Sequence, residues 1–175
     1  MEKTRVVIVM GVAGSGKSTI GTRLAAAGGG HFSDADDFHP PANIAKMAAG
    51  QPLNDADRAP WLASLRKNVV DAPPAEGFSV LACSALKRDY RRQLGVGLPG
   101  VALVYLKGSA ELLESRLQAR RGHYMKPAML ASQLAILEEP SANEAFAISI
   151  ENEPAAIVIA IQTALDLHFP GRPPE

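Results

Sequence analysis

The chain has 175 residues, a length suited to one domain around one core. Apolar residues make up 47% and charged residues 21%, with 18 Lys and Arg balanced by 18 Asp and Glu. That balance excludes a global field that would recruit nucleic acid or an anionic membrane, so any anion must be held locally.

A single cysteine, Cys83, rules out an intrachain disulfide and any cysteine metal cluster. Its apolar setting, Val80-Leu81-Ala82-Cys83, predicts a small buried hydrophobe rather than a reactive thiol. Met1–Thr4 is charged and unlike a signal peptide, and no apolar run approaches the ~20 residues that span a bilayer. A cytoplasmic protein is expected.

In chain order, five short β-branched runs recur at Arg5–Met10, His31–Ser33, Phe78–Cys83, Val101–Leu106 and Phe146–Ile150. All but the weak second are continuous rather than alternating, as in strands buried on both faces of a parallel sheet. Helical patterns separate them: Lys17–Ala27, Asp57–Val70, Leu86–Leu94, Ala110–Arg121, Pro127–Leu137 and Pro154–His168. Pro127 and Pro154 suit first turns, where a missing N–H costs nothing.

Alternating strands and helices predict an α/β, three-layer domain with a five-stranded parallel sheet flanked by helices. Two segments interrupt the alternation, one at about 37–60 and one at about 118–128. Inserted at the ligand-binding edge of the sheet, they are candidates for an acceptor site and a lid within a single domain spanning 1–175. The tail at 170–175 is expected to fray.

Gly11-Val12-Ala13-Gly14-Ser15-Gly16-Lys17-Ser18 matches the phosphate-loop pattern at every fixed position, between a buried strand and a helix start. Glycines let successive N–H groups curl toward phosphate oxygens, and the following helix adds its positive dipole end. Lys17 supplies a mobile charge for the β- and γ-phosphates, Ser18 a hydroxyl for Mg²⁺, and Thr19 completes the nucleotide-binding stretch. ATP and Mg²⁺ are the cofactors implied.

Ser33-Asp34-Ala35-Asp36-Asp37 follows the second strand. Residues two apart in an extended strand end face the same way, so Asp34 and Asp36 can share one site. Phosphoryl transfer needs one carboxylate on the metal side and one for the attacking hydroxyl. Asp34 is assigned to the metal and Asp36 to the hydroxyl, with the reverse assignment also open. Asp37 fits a solvated turn.

His39, Asn43, Lys46, Arg58, Lys87 and Arg91 follow the second and third strands, where an arginine fork and a lysine could hold an acceptor carboxylate. His39 and Asn43, with Asp36, suit its hydroxyls. Arg88 and Arg92 are expected to face solvent, and Trp61 to anchor the core. Arg116, Arg120, Arg121, His123 and Lys126 bracket Gly122 as a cationic hinge that can cover ATP. Lys17, Asp36 and Arg120 are the expected catalytic residues, and Arg116 joins Arg120 on the nucleotide.

With these residues on the page, the chain resembles the gluconokinase family, bacterial thermoresistant type, from Val6 to about Ile150. The resemblance rests on Asp34-Ala35-Asp36-Asp37-Phe38-His39-Pro40, Asn43, Lys46-Met47, Gly50 through Arg58, and Pro60-Trp61-Leu62. It continues in Cys83-Ser84-Ala85-Leu86-Lys87, Tyr90-Arg91, Tyr105-Leu106-Lys107-Gly108, Arg116-Leu117, Arg120 through Tyr124, Leu137-Glu138 and Pro140. Asn143 stands where aspartate is expected, and Ala35 where glycine is usual.

The resemblance implies a nucleoside-monophosphate-kinase-like fold with a lid, commonly a homodimer. It also implies transfer of the γ-phosphoryl group of ATP to the 6-hydroxyl of D-gluconate. Asp36 through Arg58, with Lys87 and Arg91, would line the sugar-acid site, and Ser84 would lie near the γ-phosphate or a metal-bound water. A shikimate-kinase-like enzyme and a non-catalytic ATP-binding regulator are the alternatives. Phe38-His39-Pro40 and Pro60-Trp61-Leu62 weigh against the first, and the acceptor residues against the second.

Overall fold

A computed structural model describes residues 4–120 and 127–168. Five parallel strands form one sheet in the order β2-β3-β1-β4-β5. They are β1 (Val6–Met10), β2 (His31–Asp34), β3 (Ser79–Ala82), β4 (Val101–Lys107) and β5 (Phe146–Ser149). Register is continuous across the centre, Ile8 lying opposite both Leu81 and Leu103.

The three central strands carry the continuous apolar runs because helices cover both faces. Every residue of β1 and β3 is buried, whereas the edge strands β2 and β5 are only partly covered. Side-chain alternation divides the core in two. Val6, Ile8, Met10, Leu81 and Tyr105 face one layer with Trp61, Leu62 and Leu65, while Val7, Val9, Val80, Val104 and Leu106 face another with Ile20, Leu24, Leu113 and Ile161.

The helices are α1 (Lys17–Gly28), α2 (Pro41–Ala48), α3 (Asp55–Leu65), α4 (Arg88–Gln93), α5 (Ala110–Ala119), α6 (Pro127–Ile136) and α7 (Pro154–His168). Among the described residues no helix is long and apolar enough to cross a membrane.

Two boundaries differ from the sequence reading. The Asp57–Val70 helix begins at Asp55, because Asn54 accepts the Asp57 N–H at 2.8 Å while the Asp57 carboxylate accepts the Asn54 N–H at 2.9 Å. It becomes a wider five-residue turn at Arg66–Val70. The second difference is α2, which has no apolar stripe to read: Ile44 and Met47 are exposed, and the buried member of the helix is Asn43.

Candidate active site

The phosphate loop joins β1 to α1 at the carboxyl edge of the sheet. Gly14 and Gly16 take left-handed backbone at φ 83° and 89°. A Cβ on Gly14 would also lie 3.1 Å from the Leu113 carbonyl oxygen, so glycine is required there twice over. No side chain caps α1 and no acidic residue occupies its first turn, which leaves its N–H groups available to an anion.

Lys17 folds back and donates to the Val12 carbonyl at 3.2 Å. Burial pushes its ammonium pKa down, opposed by the nearby Asp36 and Asp34 carboxylates, while the positive charge of Arg120 adds to the fall. The last effect places Arg120, at the end of α5, within electrostatic reach of the loop.

Asp34 ends β2 and joins the two halves of the site. One of its carboxylate oxygens accepts the Ser18 hydroxyl at 2.7 Å, and the other accepts the Asp36 N–H at 3.0 Å. The two carboxylates are therefore not paired by strand alternation. A short 3₁₀ turn, Ala35–Phe38, capped by Asp34, swings Asp36 beside it.

The Asp36 carboxyl is pushed above the usual range, first by the cleft walls and then by the Asp34 charge. Solvent still reaches 87% of this side chain, so screening keeps the displacement modest until a ligand excludes water. Asp37 is exposed.

The Ser18 and Asp34 oxygens suit a hard cation. Ser18 gives its proton to Asp34, and its lone pairs remain available. Among the described residues no group of three or more His, Cys, Asp or Glu could hold a metal alone. A Mg²⁺ here would take its other ligands from phosphate oxygens and water.

Beyond Asp36, α2 and α3 are joined by polar contacts. The buried Asn43 side chain donates to the Asp57 carbonyl at 2.9 Å and lies 3.4 Å from His39 Nδ1. Lys46 Nζ sits 2.5 Å from the Asp57 carboxylate. His39 stacks on Trp61 with ring centroids 4.4 Å apart, and its Nε2 lies 3.8 Å from the Asp36 carboxylate. Burial lowers the His39 pKa, so the ring is neutral at pH 7.

Trp61 is the core anchor expected from sequence, donating to the Ala35 carbonyl at 2.7 Å. It therefore also pins the turn that carries Asp36.

A second cluster surrounds Tyr90. Its hydroxyl donates to the Asp55 carboxylate and accepts from Arg58 at 3.3 Å, and the Lys87 ammonium lies 5.4 Å from the ring centroid. Lys87 and Arg58 also approach Asp55, at 3.5 and 3.7 Å. Arg58, Tyr90, Trp61, Ser84, Ala85 and Gln133 help to line a cleft of about 100 Å³, partly open to solvent.

Two expectations change. Arg91 is fully buried rather than set in the cleft. Its guanidinium meets Glu144 at 2.6 Å and donates to the Ala85 and Leu86 carbonyls at 3.0 and 3.1 Å. That clamp holds Ala85 at φ 46°, left-handed backbone that costs a residue with a Cβ energy.

Arg116 donates to the Ile150 carbonyl, so in this state it ties α5 to the end of β5. The lid residues Arg121, Gly122, His123 and Lys126, and the tail at 170–175, lie outside the described residues. Arg88 and Arg92 are exposed as expected, and Cys83 is buried with its thiol pushed up to about 12 by desolvation.

Sequence reasoning gave no separate role to Asp55, Asp57, Glu144 or Gln133. The Asn54-x-x-Asp57 spacing was a visible helix-start signal. Gln133, a lone amide in the apolar run of α6, carried no comparable signal.

A family model described as an AAA domain matches residues 6–140. The chain is 48% identical to the gluconokinase of Gluconobacter oxydans (strain 621H) over 158 residues, 89% of this chain and 88% of that one. It is 42% identical to the thermoresistant gluconokinase of Escherichia coli (strain K12) over 156 residues, 89% of each. The solved gluconokinase from Sinorhizobium meliloti 1021 superposes with a TM-score of 0.84 at 39% identity, covering 96% of this chain and 95% of that one. A phosphate loop, a carboxylate pair beside it and a neighbouring cluster of basic side chains thus sit on a shared fold, and the chain belongs to the gluconokinase family of P-loop kinases.

Proposed function

We propose that the protein transfers the γ-phosphoryl group of ATP to the 6-hydroxyl of D-gluconate, giving 6-phosphogluconate and ADP. The observation that carries this reading is the double role of Asp34. It binds the Ser18 hydroxyl on the nucleotide side and the Asp36 N–H on the acceptor side, so the two substrates' sites meet at one carboxylate.

In the mechanism, the loop N–H groups and Lys17 hold the phosphates and Asp36 accepts the hydroxyl proton as the oxygen attacks. Proximity to Asp34 and loss of water make the Asp36 carboxylate a better base than a free aspartate. Lys17 leaves the Val12 carbonyl for the phosphates, where its charge opposes the developing negative charge. Arg120 adds positive charge from the end of α5. Ser18 and Asp34 would hold Mg²⁺, which would supply charge neutralisation on the phosphate oxygens.

Lys46, Arg58 and Lys87 offer cationic donors to the gluconate carboxylate, and His39 and Asn43 offer hydrogen bonds to its hydroxyls. Each cation is paired with Asp55 or Asp57 in the free protein. Gluconate competes with those aspartates for charges already held in place, so less ordering is required when it binds.

Residues 37–60 then serve as the acceptor-binding insertion of a single kinase domain, and 118–128 as its lid. The reading extends to a cytoplasmic protein and to a homodimer, the latter checked by its molar mass in solution from light scattering. The chemistry is tested by coupled ADP release with ATP and Mg²⁺ against gluconate, shikimate and nucleoside monophosphates. Turnover on gluconate is expected; turnover on another acceptor instead would discard the substrate assignment.

A further inference from the structure

The Gln133 side chain reaches the phosphate loop from α6, a helix that helps to line the cleft. Its Oε1 accepts the Ala13 N–H at 2.6 Å across 120 residues of sequence. A backbone N–H can only donate, so this contact fixes the orientation of the amide: the oxygen is on the loop, and the NH₂ is the remaining group. Gln133 also lines the acceptor cleft, with Arg58, Ser84 and Tyr90.

The Ala13 N–H and the Val12 carbonyl are two sides of one peptide group. That carbonyl accepts from the Lys17 ammonium at 3.2 Å and from the Ser15 N–H at 3.2 Å. Gln133 therefore grips one side of a peptide plane whose other side is held within the loop itself, by the Ser15 N–H and the Lys17 ammonium. Leu130, three residues earlier on α6, is buried in the core, so the amide is carried by an anchored helix rather than a free loop.

We propose that Gln133 is a positioning residue for phosphoryl transfer, tethering the acceptor-side helix to the Val12–Ala13 peptide and thereby holding the phosphate loop in register with the acceptor. The inference rests on the kinase reading above. Without the tether the loop still binds phosphate through its other N–H groups, but the reacting groups are no longer held in register. Misplacement of that kind lowers kcat more than it raises KM.

The test is Gln133→Met, which keeps length and helix propensity while removing both amide groups, beside Gln133→Glu, which keeps an oxygen for the Ala13 N–H. Steady-state kinetics, thermal melting and hydrogen exchange of the Ala13 amide are read for each. The expected result for Gln133→Met is a kcat reduced about 10- to 100-fold, KM for both substrates within about threefold, and a deprotected Ala13 amide. Gln133→Glu should keep the amide protected and a kcat above that of the Met variant.

A kcat within about twofold of wild type in the folded Met variant would overturn the proposal. So would a lowered melting temperature with turnover per folded molecule unchanged, since that is the mark of a merely structural contact. If the Met variant does not fold, a Glu variant with a protected Ala13 amide and kcat more than about tenfold below wild type would overturn it instead. Wild-type turnover on gluconate reads the proposed acceptor by itself. The variant-to-wild-type ratio, taken with whichever acceptor the wild type uses, reads the tether.

Discussion

The nucleotide half of this site and the half proposed for the acceptor are built from different materials. The first is mostly backbone: N–H groups of a glycine-rich loop and the uncapped start of α1, set by a local run from Gly11 to Thr19. The second is almost all side chain, with Lys46 on Asp57, Arg58 and Lys87 on Asp55, and His39 on Trp61. A backbone site serves any nucleoside triphosphate, because phosphate is common to all of them. A side-chain site can be remade one residue at a time, so substrate choice resides there.

The sharpest way to break this division is at Asp36, where the halves meet. Asp36→Asn should lower kcat by about 10²- to 10⁴-fold while ATP binding, measured by calorimetry, is retained. Loss of ATP binding instead would move Asp36 to the nucleotide side.

Removing the buried guanidinium should act on the scaffold rather than on either half. Arg91→Met leaves the Glu144 carboxylate without its partner, and breaking such a pair costs about 3–5 kcal/mol in urea unfolding. A further Glu144→Met change should recover part of that loss. Unchanged stability with weakened gluconate binding would return Arg91 to the acceptor.

Lys17→Ala should lower kcat about 10²- to 10³-fold and weaken both ATP and ADP. Lys46→Met should be smaller and one-sided, raising KM for gluconate about tenfold, or about 1.4 kcal/mol, with KM for ATP unchanged. An equal change in both constants would erase the proposed boundary between the halves.

The smallest effect is in pH dependence. The Asp36 pKa is raised, so the carboxylate proposed as base is lost as pH falls through a value above the ordinary ~3.9. The acid limb of kcat/KM should lie above that reference in wild type and disappear in the residual activity of Asp36→Asn. The same displacement has a stability sign. A raised folded-state pKa favours the protonated fold, so stability falls as pH rises from the unfolded through the folded value. Asp36→Asn should melt slightly higher than wild type at neutral pH, and an unchanged melting temperature would indicate full screening.

Legibility in the sequence followed the range of the interactions. The strands at the centre of the sheet were readable because burial on both faces writes an unbroken apolar run, as in Val6–Met10. The α2 helix was not readable, because its buried residue is Asn43 and its apolar residues are exposed. Composition offers no sign of a helix held by polar contacts to the next one. The family resemblance supplied the acceptor residues as a set, but it could not separate those that face the cleft from Arg91, which packs beneath it.

The sequence alone determined the phosphate loop, the alternation of the strands with the helices other than α2, and the presence of two carboxylates after β2. Each depends on neighbours a few residues apart, within reach of local sterics and hydrogen bonding. Tertiary structure decided that Asp34 bridges the two sites, that Arg91 turns inward onto Glu144, and that Gln133 closes on Ala13. These contacts join residues 16, 53 and 120 positions apart in the chain, or complete a turn through them. Partners that distant meet only after the sheet has formed and the helices have packed, which is why no local pattern records them.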